Sequence, residues 1–192
     1  MARNVEFNEE EAIQKAMEVF WKKGYSGASL RDLTDAMKIN SSSLYNTIGD
    51  KHQLFVKCIK NYTETRMDDA RKRAANTKSP LAALVNLIND SATAIINGED
   101  SCMAIKTTFE VAASDKSVQA ILKADSDFIR DFLHLLITNA RKSGELAEGE
   151  NAEILADYLL SLLTGWHESY IIHRDPVRIR KMAQFVINQI TK

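Results

Sequence analysis

The chain is short of the residues that interrupt helices, with 7 Gly and 2 Pro among 192 residues. Since Ala, Leu, Ile, Lys and Glu are abundant, that shortage favours an all-helical protein. No stretch alternates apolar and polar residues long enough to suggest a sheet. Cysteine is as scarce. Cys58 and Cys102 fall in helical patterns with no CxxC spacing and no histidine nearby, which excludes a disulfide framework and a zinc site and fits a reducing cytoplasm. No metal and no cofactor are expected. Long apolar runs are missing too: Glu6, Glu9, Glu10 and Glu11 stand where a signal peptide needs an apolar stretch, and the most apolar later segment, Ile154 to Trp166, contains Asp157. A cytoplasmic protein with no membrane partner is the expectation.

Net charge is nearly absent as well. At −1 the chain does not carry nucleic acid over its whole surface, so any basic face is local. Residues 1–76 hold 13 Lys and Arg against 11 Asp and Glu, net +2, and residues 77–192 hold 12 against 15, net −3. The asymmetry is small but has the sign expected of a DNA-binding N-terminal part.

What the chain does have is a 45% hydrophobic share, which argues against disorder, and a length that allows one or two domains. Asn8 with Glu11 opens a first helix running to Lys23, with Gly24 as its end and Ile13, Ala16, Met17 and Phe20 as its apolar stripe. Ser29 with Asp32 opens a second, whose buried face is Leu30, Leu33 and Met37. After only Lys38, Ile39 and Asn40, a third short helix follows, with Asn40 as cap and Ile39 and Leu44 as anchors. Asp50 with Gln53 then caps a long fourth helix to about Asn76. Two short helices across a three-residue break form a helix-turn-helix pattern. A two-turn helix of small polar side chains fits the B-DNA major groove, roughly 12 Å wide.

The ordered set Phe20-Trp21-Lys22-Lys23-Gly24-Tyr25, Ser29-Leu30, Ser43-Leu44-Tyr45, Gly49-Asp50-Lys51 and Leu54-Phe55 resembles the TetR/AcrR family of bacterial transcriptional regulators over about the first third of the chain. The resemblance implies an N-terminal three-helix DNA-binding domain over residues 1–50, a connecting helix over 51–76, and a helical ligand-binding and dimerisation domain over 77–192, with about nine helices in all. Two positions depart from the pattern. Lys38 stands where the family usually has a turn glycine, and Thr47-Ile48 replaces its usual His-Phe or Tyr-Phe pair.

On this basis the third helix is the recognition helix. Ser42, Ser43 and Asn46 are its candidates for base edges, Ser41 and Thr47 flank them, and Tyr45 and Lys51 are the family positions that hold phosphates. No Lys or Arg lies between Ile39 and Gly49, so affinity must lean on Arg3, Arg31, Lys38 and Lys51 around it. One module reads too few base pairs for a useful address, and such proteins pair to read two half-sites of a double-stranded operator. Leu155, Tyr158, Leu159, Leu162, Leu163, Met182, Phe185, Val186 and Ile190 of the last two helices are the expected homodimer surface, in competition with the monomer core for the same side chains.

The family's C-terminal domains bind a small molecule that moves the DNA-reading heads apart, so a ligand-released repressor is implied. Met103, Phe109, Phe128, Phe132, Trp166 and Tyr170 are candidates for an apolar lining, with Thr107, His134 and His167 as polar handles, which suits an apolar or aromatic inducer. Aromatics at helical spacing also serve as plain core. Cys102 at a helix start is a candidate thiol or electrophile sensor, against its reading as a small buried hydrophobe; an activator is the other alternative to a repressor. An enzyme lacks its equipment here. His167 and His173 are six apart rather than in H-E-x-x-H spacing, and no G-x-S-x-G, P-loop or dinucleotide fingerprint occurs. A helical scaffold would explain the apolar surface but not the Ser-Ser-Ser-Leu-Tyr helix.

Overall fold

The computed structural model describes residues 8–98, 102–149 and 151–191. Among them the chain is all helix: α1 (Glu9–Gly27), α2 (Leu30–Met37), α3 (Ser41–Thr47), α4 (Lys51–Ala75), α5 (Pro80–Asn97), α6 (Met103–Thr107), a π-helical turn (Thr108–Ala112), α7 (Lys116–Lys142), α8 (Ala152–His173) and α9 (Pro176–Ile190). The starts are set by side chains that take otherwise free backbone donors. Asn8 accepts from the Glu10 and Glu11 amides, Ser29 and Asp32 form a reciprocal box, and Asp50 and Gln53 form another at 2.8 and 3.0 Å. Ser79, Asn151 and Asp175 do the same for α5, α8 and α9. No helix among the described residues is long and apolar enough to cross a membrane.

By packing, the chain divides into two units, residues 1–64 with 103–122 and residues 65–102 with 123–192. Segment 103–122 therefore groups with the N-terminal helices rather than with the rest of 77–192. In the first unit, Ala12, Ala16 and Phe20 of α1, Leu33 and Met37 of α2, Leu44 of α3 and Leu54, Phe55 and Ile59 of α4 are buried. Phe55 meets Phe20 edge-on at 4.9 Å and Tyr25 at 4.8 Å, which binds the end of α1 to the start of α4. The core of the second unit is drawn from Leu84, Ile88, Leu133, Ile137, Leu159, Trp166 and Ile179, among others.

Three differences from the sequence expectation concern helix bounds. Gly24 (φ 75°, ψ 172°) kinks α1 instead of ending it, and helical turns resume to Gly27. Apolar spacing predicts one helix from Ser101 to Ala113, but α geometry holds only over Met103–Thr107 before the chain widens into the π turn; Ser101 lies outside the described residues. The sequence predicts a helix from Asn151 to about Tyr170, and α8 runs on to His173.

Candidate functional site

Helix α3 is placed by what it buries. Leu44 is wholly inside, Ile48 behind it is 7% exposed, and Asn40 accepts from the Ser43 amide at 2.8 Å, fixing where the helix begins. The turn before it closes through Lys38 in the left-handed region (φ 54°, ψ 39°), and the Ile39 amide donates to the Thr34 carbonyl at 3.1 Å. With Leu44 turned inward, Ser41, Ser42, Tyr45, Asn46 and Thr47 are exposed and Ser43 is half-buried. The presented face is uncharged, with four hydroxyls and one amide able to both donate and accept.

The cations stand around this helix, not on it. Arg31 is exposed on α2, 3.7 Å from Asp35, and Lys38 is exposed in the turn. The Lys51 ammonium lies 4.6 Å from the centre of the Tyr25 ring, which fixes its direction at the first turn of α4. Arg3 lies outside the described residues. The hydrogen bond from Lys23 at 2.6 Å, followed by those from Ser29, holds the Asp32 carboxyl well below the usual carboxylate range.

A second set of contacts fixes the kink of α1, and local sequence signals gave no sight of it. Within the first unit the Glu110 carboxylate of the π turn accepts from the Tyr25 amide at 3.0 Å and the Ser26 amide at 2.8 Å. Partial burial raises the Glu110 pKa, but the Ser26 and Tyr25 amides outweigh it and the net shift is downward. A Cβ at Gly24 would lie 2.7 Å from Glu110 Oε2, so glycine is needed there for both its φ and its bareness. Nearby, Lys106 donates to the Trp21 carbonyl at 2.8 Å, and His52 Nε2 meets Asp115 Oδ2 at 2.5 Å.

The residues of the expected ligand lining are divided between the two units. Cys102, Phe128, Phe132, His134, Trp166, His167 and Tyr170 belong to the second unit, whereas Met103, Thr107 and Phe109 belong to the first. Phe109 is 82% exposed, because in the π turn Val111 takes the inward position; it lines nothing enclosed. Trp166 joins the second unit's core, Tyr170 donates to the Ile96 carbonyl at 3.0 Å, and His134 sits 3.4 Å from the Thr138 hydroxyl. Phe128 and Phe132 stack at 5.7 Å. Cys102, directly before α6, is buried with its sulfur 3.6 Å from Arg66 Nη1. Burial pushes the Cys58 thiol up to about 12, which makes it inert at neutral pH.

The apolar surface of α8 and α9 divides in two. Leu159 and Val186, expected at a dimer interface, are spent in the monomer core at 1% and 5% exposure. Tyr158 and Phe185 stand 53% and 61% exposed, while Leu155, Leu162, Leu163, Met182 and Ile190 are half-buried. An open groove of about 560 Å³ runs between them, lined by Tyr158, Leu162, Trp166, Val177, Met182 and Phe185 among others. Ile154 and Val177 are exposed beside these residues and were not among the candidates.

Comparison with known proteins agrees with this architecture. Residues 12–58 match the family of bacterial regulatory proteins, tetR family, and residues 80–186 match the tetracyclin repressor-like C-terminal domain. An uncharacterized HTH-type transcriptional regulator of Bacillus subtilis (strain 168), YezE, is 31% identical over 163 residues, 83% of this chain and 84% of that protein. The HTH-type transcriptional repressor ComR of Escherichia coli (strain K12) is 23% identical over 184 residues, 93% of this chain and 85% of that one. Among solved structures, a cysteine mutant of the regulator CifR complexed with 26-base-pair double-strand operator DNA superposes with a TM-score of 0.83 at 24% identity, covering 97% of this chain and 98% of that one. The reduced form of E. coli NemR gives 0.85 at 14% identity, covering 93% and 94%. The relatives are transcriptional regulators and not enzymes, and two family matches frame a helix-turn-helix head and a helical C-terminal part: the chain belongs to the TetR family of bacterial DNA-binding transcriptional regulators.

Proposed function

We propose that the protein is a cytoplasmic, homodimeric repressor that binds a palindromic double-stranded operator and releases it when a small apolar or aromatic inducer binds. Residues 1–50 would read DNA, 51–76 connect, and 77–192 sense and dimerise. The observation that carries this reading is α3, an uncharged helix with one buried anchor and five exposed polar side chains, ringed by Arg31, Lys38 and Lys51. Ser42, Ser43 and Asn46 then address base edges, and Ser41, Tyr45, Thr47, Lys51, Arg31 and Lys38 hold the backbone. The name of ComR and the operator complex of CifR lend support by kinship. The apolar groove of α8 and α9 supports self-association, which would set two heads at the half-site spacing of about 34 to 36 Å. An inducer that binds the released dimer better than the operator-bound one must weaken DNA binding by the same coupling, typically about 1–3 kcal/mol.

Selection of bound fragments from genomic DNA tests this directly, and a palindromic site is expected. Lys51→Ala should weaken binding to specific and random DNA alike and make the slope of log affinity against log salt less negative by about 1. Asn46→Ala should also flatten sequence preference. Equal losses on operator and random DNA from Asn46→Ala would remove that side chain from base readout, and recovery of no common site would remove the operator.

The Arg66 guanidinium beside the Cys102 sulfur favours a second reading, in which a thiol-directed electrophile is the signal. The guanidinium would hold an anion formed on the sulfur. Alkylation with N-ethylmaleimide should then release DNA from the native protein and not from Cys102→Ser; equal release from both would dismiss the thiol.

A further inference from the structure

The end of α1 is held by two oppositely charged side chains that stand four positions apart in the same unit, Lys106 and Glu110. In an unbroken helix the Tyr25 and Ser26 amides would donate four residues back, to Trp21 and Lys22. With Gly24 at φ 75°, ψ 172° in between, both donate to the Glu110 carboxylate, at 3.0 and 2.8 Å. Lys106 Nζ meets the Trp21 carbonyl at 2.8 Å on the other side of the kink. The segment then reaches α4 as well, where Asp115 Oδ2 lies 2.5 Å from His52 Nε2, one residue beyond Lys51.

Lys51 is mounted on what the kink sets in place. The Tyr25 ring rests 4.8 Å from Phe55 and 6.2 Å from Phe20, and the Lys51 ammonium lies 4.6 Å from the centre of that ring. A lysine stem is flexible, so the ring that attracts its charge decides where the charge points. Glu110 acts on the same ammonium. Burial raises its pKa, the Ser26 and Tyr25 amides and the Ser26 hydroxyl lower it, and the Lys51 charge lowers it further. Yet Glu110 is exposed, and a negative charge near bound DNA repels phosphates. An acid that acted through its charge alone would therefore weaken DNA binding, whereas one that places Lys51 would strengthen it.

We infer that Glu110 is a positioning residue for DNA binding: by taking the Tyr25 and Ser26 amides it sets the Tyr25 ring, and the ring aims the Lys51 ammonium at a backbone phosphate. The inference rests on the reading above in which Lys51 holds a phosphate, and it names the residue that places that contact. Glu110 itself touches no DNA.

A phosphate contact is indifferent to sequence, so the probe is a fluorescent mixed-sequence duplex long enough for two half-sites, titrated with the full chain at several salt concentrations. Lys51→Ala should make the slope of log affinity against log salt less negative by about 1. Glu110→Gln should do the same and weaken binding about three- to tenfold at ~0.1 M salt, although it removes a negative charge. Added to Lys51→Ala, the Glu110→Gln change should cost nothing more. Glu110→Asp keeps the charge but is one methylene too short to reach both amides, so it should weaken binding in the same way, and it decides the matter should Glu110→Gln fail to fold. A merely structural glutamate would lower the melting temperature and leave the slope alone. Stronger binding by Glu110→Gln, an unchanged slope, or a loss that adds in full to that of Lys51→Ala would each overturn the positioning role. The two claims separate cleanly. A changed slope in Lys51→Ala but not in Glu110→Gln would remove this inference and keep the phosphate contact, whereas an unchanged slope in Lys51→Ala would remove the contact and the inference with it.

Discussion

Helices α3 and α8 show two ways of using a surface. In α3 a single residue, Leu44, is wholly buried and what faces outward is polar, so the sequence states both its inner and its outer side. In α8 apolar side chains point both ways: Ala156, Leu159 and Trp166 go into the core, and Ile154, Tyr158, Ile171 and Ile172 are exposed. A helix apolar on more than one face needs a second partner, and pattern alone does not say which face takes the core. Adjacent residues sharpen the contrast most. Leu159→Ala should remove about 2–5 kcal/mol of stability through the cavity it leaves, at any protein concentration. Tyr158→Ala should change monomer stability by no more than about 0.5 kcal/mol, with a larger loss only at concentrations where the parent protein is a dimer, shrinking to that limit on dilution through the dissociation range. Denaturant unfolding at several concentrations, with sedimentation, separates the two; a concentration-independent loss for Tyr158→Ala would place that face in the monomer.

The two units should also yield to acid by different routes. In the second, His167 has its folded pKa lowered from 6.5 to about 4, so the unfolded chain binds the extra proton and stability falls as pH drops from about 6.5 towards 4. The loss across that window is on the order of 3 kcal/mol. In the first, the depressed groups are carboxylates: Asp32, Asp115 through the Ser117 hydroxyl, the Val118 amide and His52, and Glu110. Their contribution is intact above the ordinary carboxylate range and lost only below it. One tryptophan lies in each unit, Trp21 in the first and Trp166 in the second. Acid titration of single-tryptophan variants should therefore show Trp166 responding at higher pH than Trp21, and His167→Gln should abolish the early response. Coincident transitions in the parent protein would mean that the units unfold together and that the difference is not expressed.

What could be read in advance follows the same division. Helix starts were legible because a cap needs one side chain and an amide two or three positions away, which is why Asn8, Ser29, Asn40 and Asp50 stand where spacing puts them. The continuation of α1 past Gly24 was not legible, since the carboxylate that takes the Tyr25 and Ser26 amides is supplied from more than eighty positions away. The π turn hid in a segment whose apolar spacing suits an α-helix. Aromatic side chains at helical spacing mark ligand candidates without saying which unit each side chain joins. Phe109 and Trp166 carry that mark equally and end at opposite extremes of exposure. The burial of Asp125 is not legible either, because a charged residue in a mostly polar helix gives no sign that it will be enclosed.

The smallest expected effect sets the two demands on the head against each other at one residue. Lys38 closes the turn into α3 with φ 54°, a conformation that brings its Cβ towards the following carbonyl. Glycine adopts it freely, so Lys38→Gly should stabilise the isolated fold by about 1 kcal/mol, less the added freedom of the unfolded chain. The same change removes an exposed cation beside the recognition helix. Operator affinity should therefore fall while stability rises, with the salt slope less negative by about 1 if the ammonium meets a phosphate. Both can be measured on one preparation, by thermal unfolding and by a salt titration of binding. A gain in stability without a change in slope would leave Lys38 as a strained turn residue with no part in DNA binding, and a loss of both would mean that its side chain supports the turn in a way φ alone does not reveal.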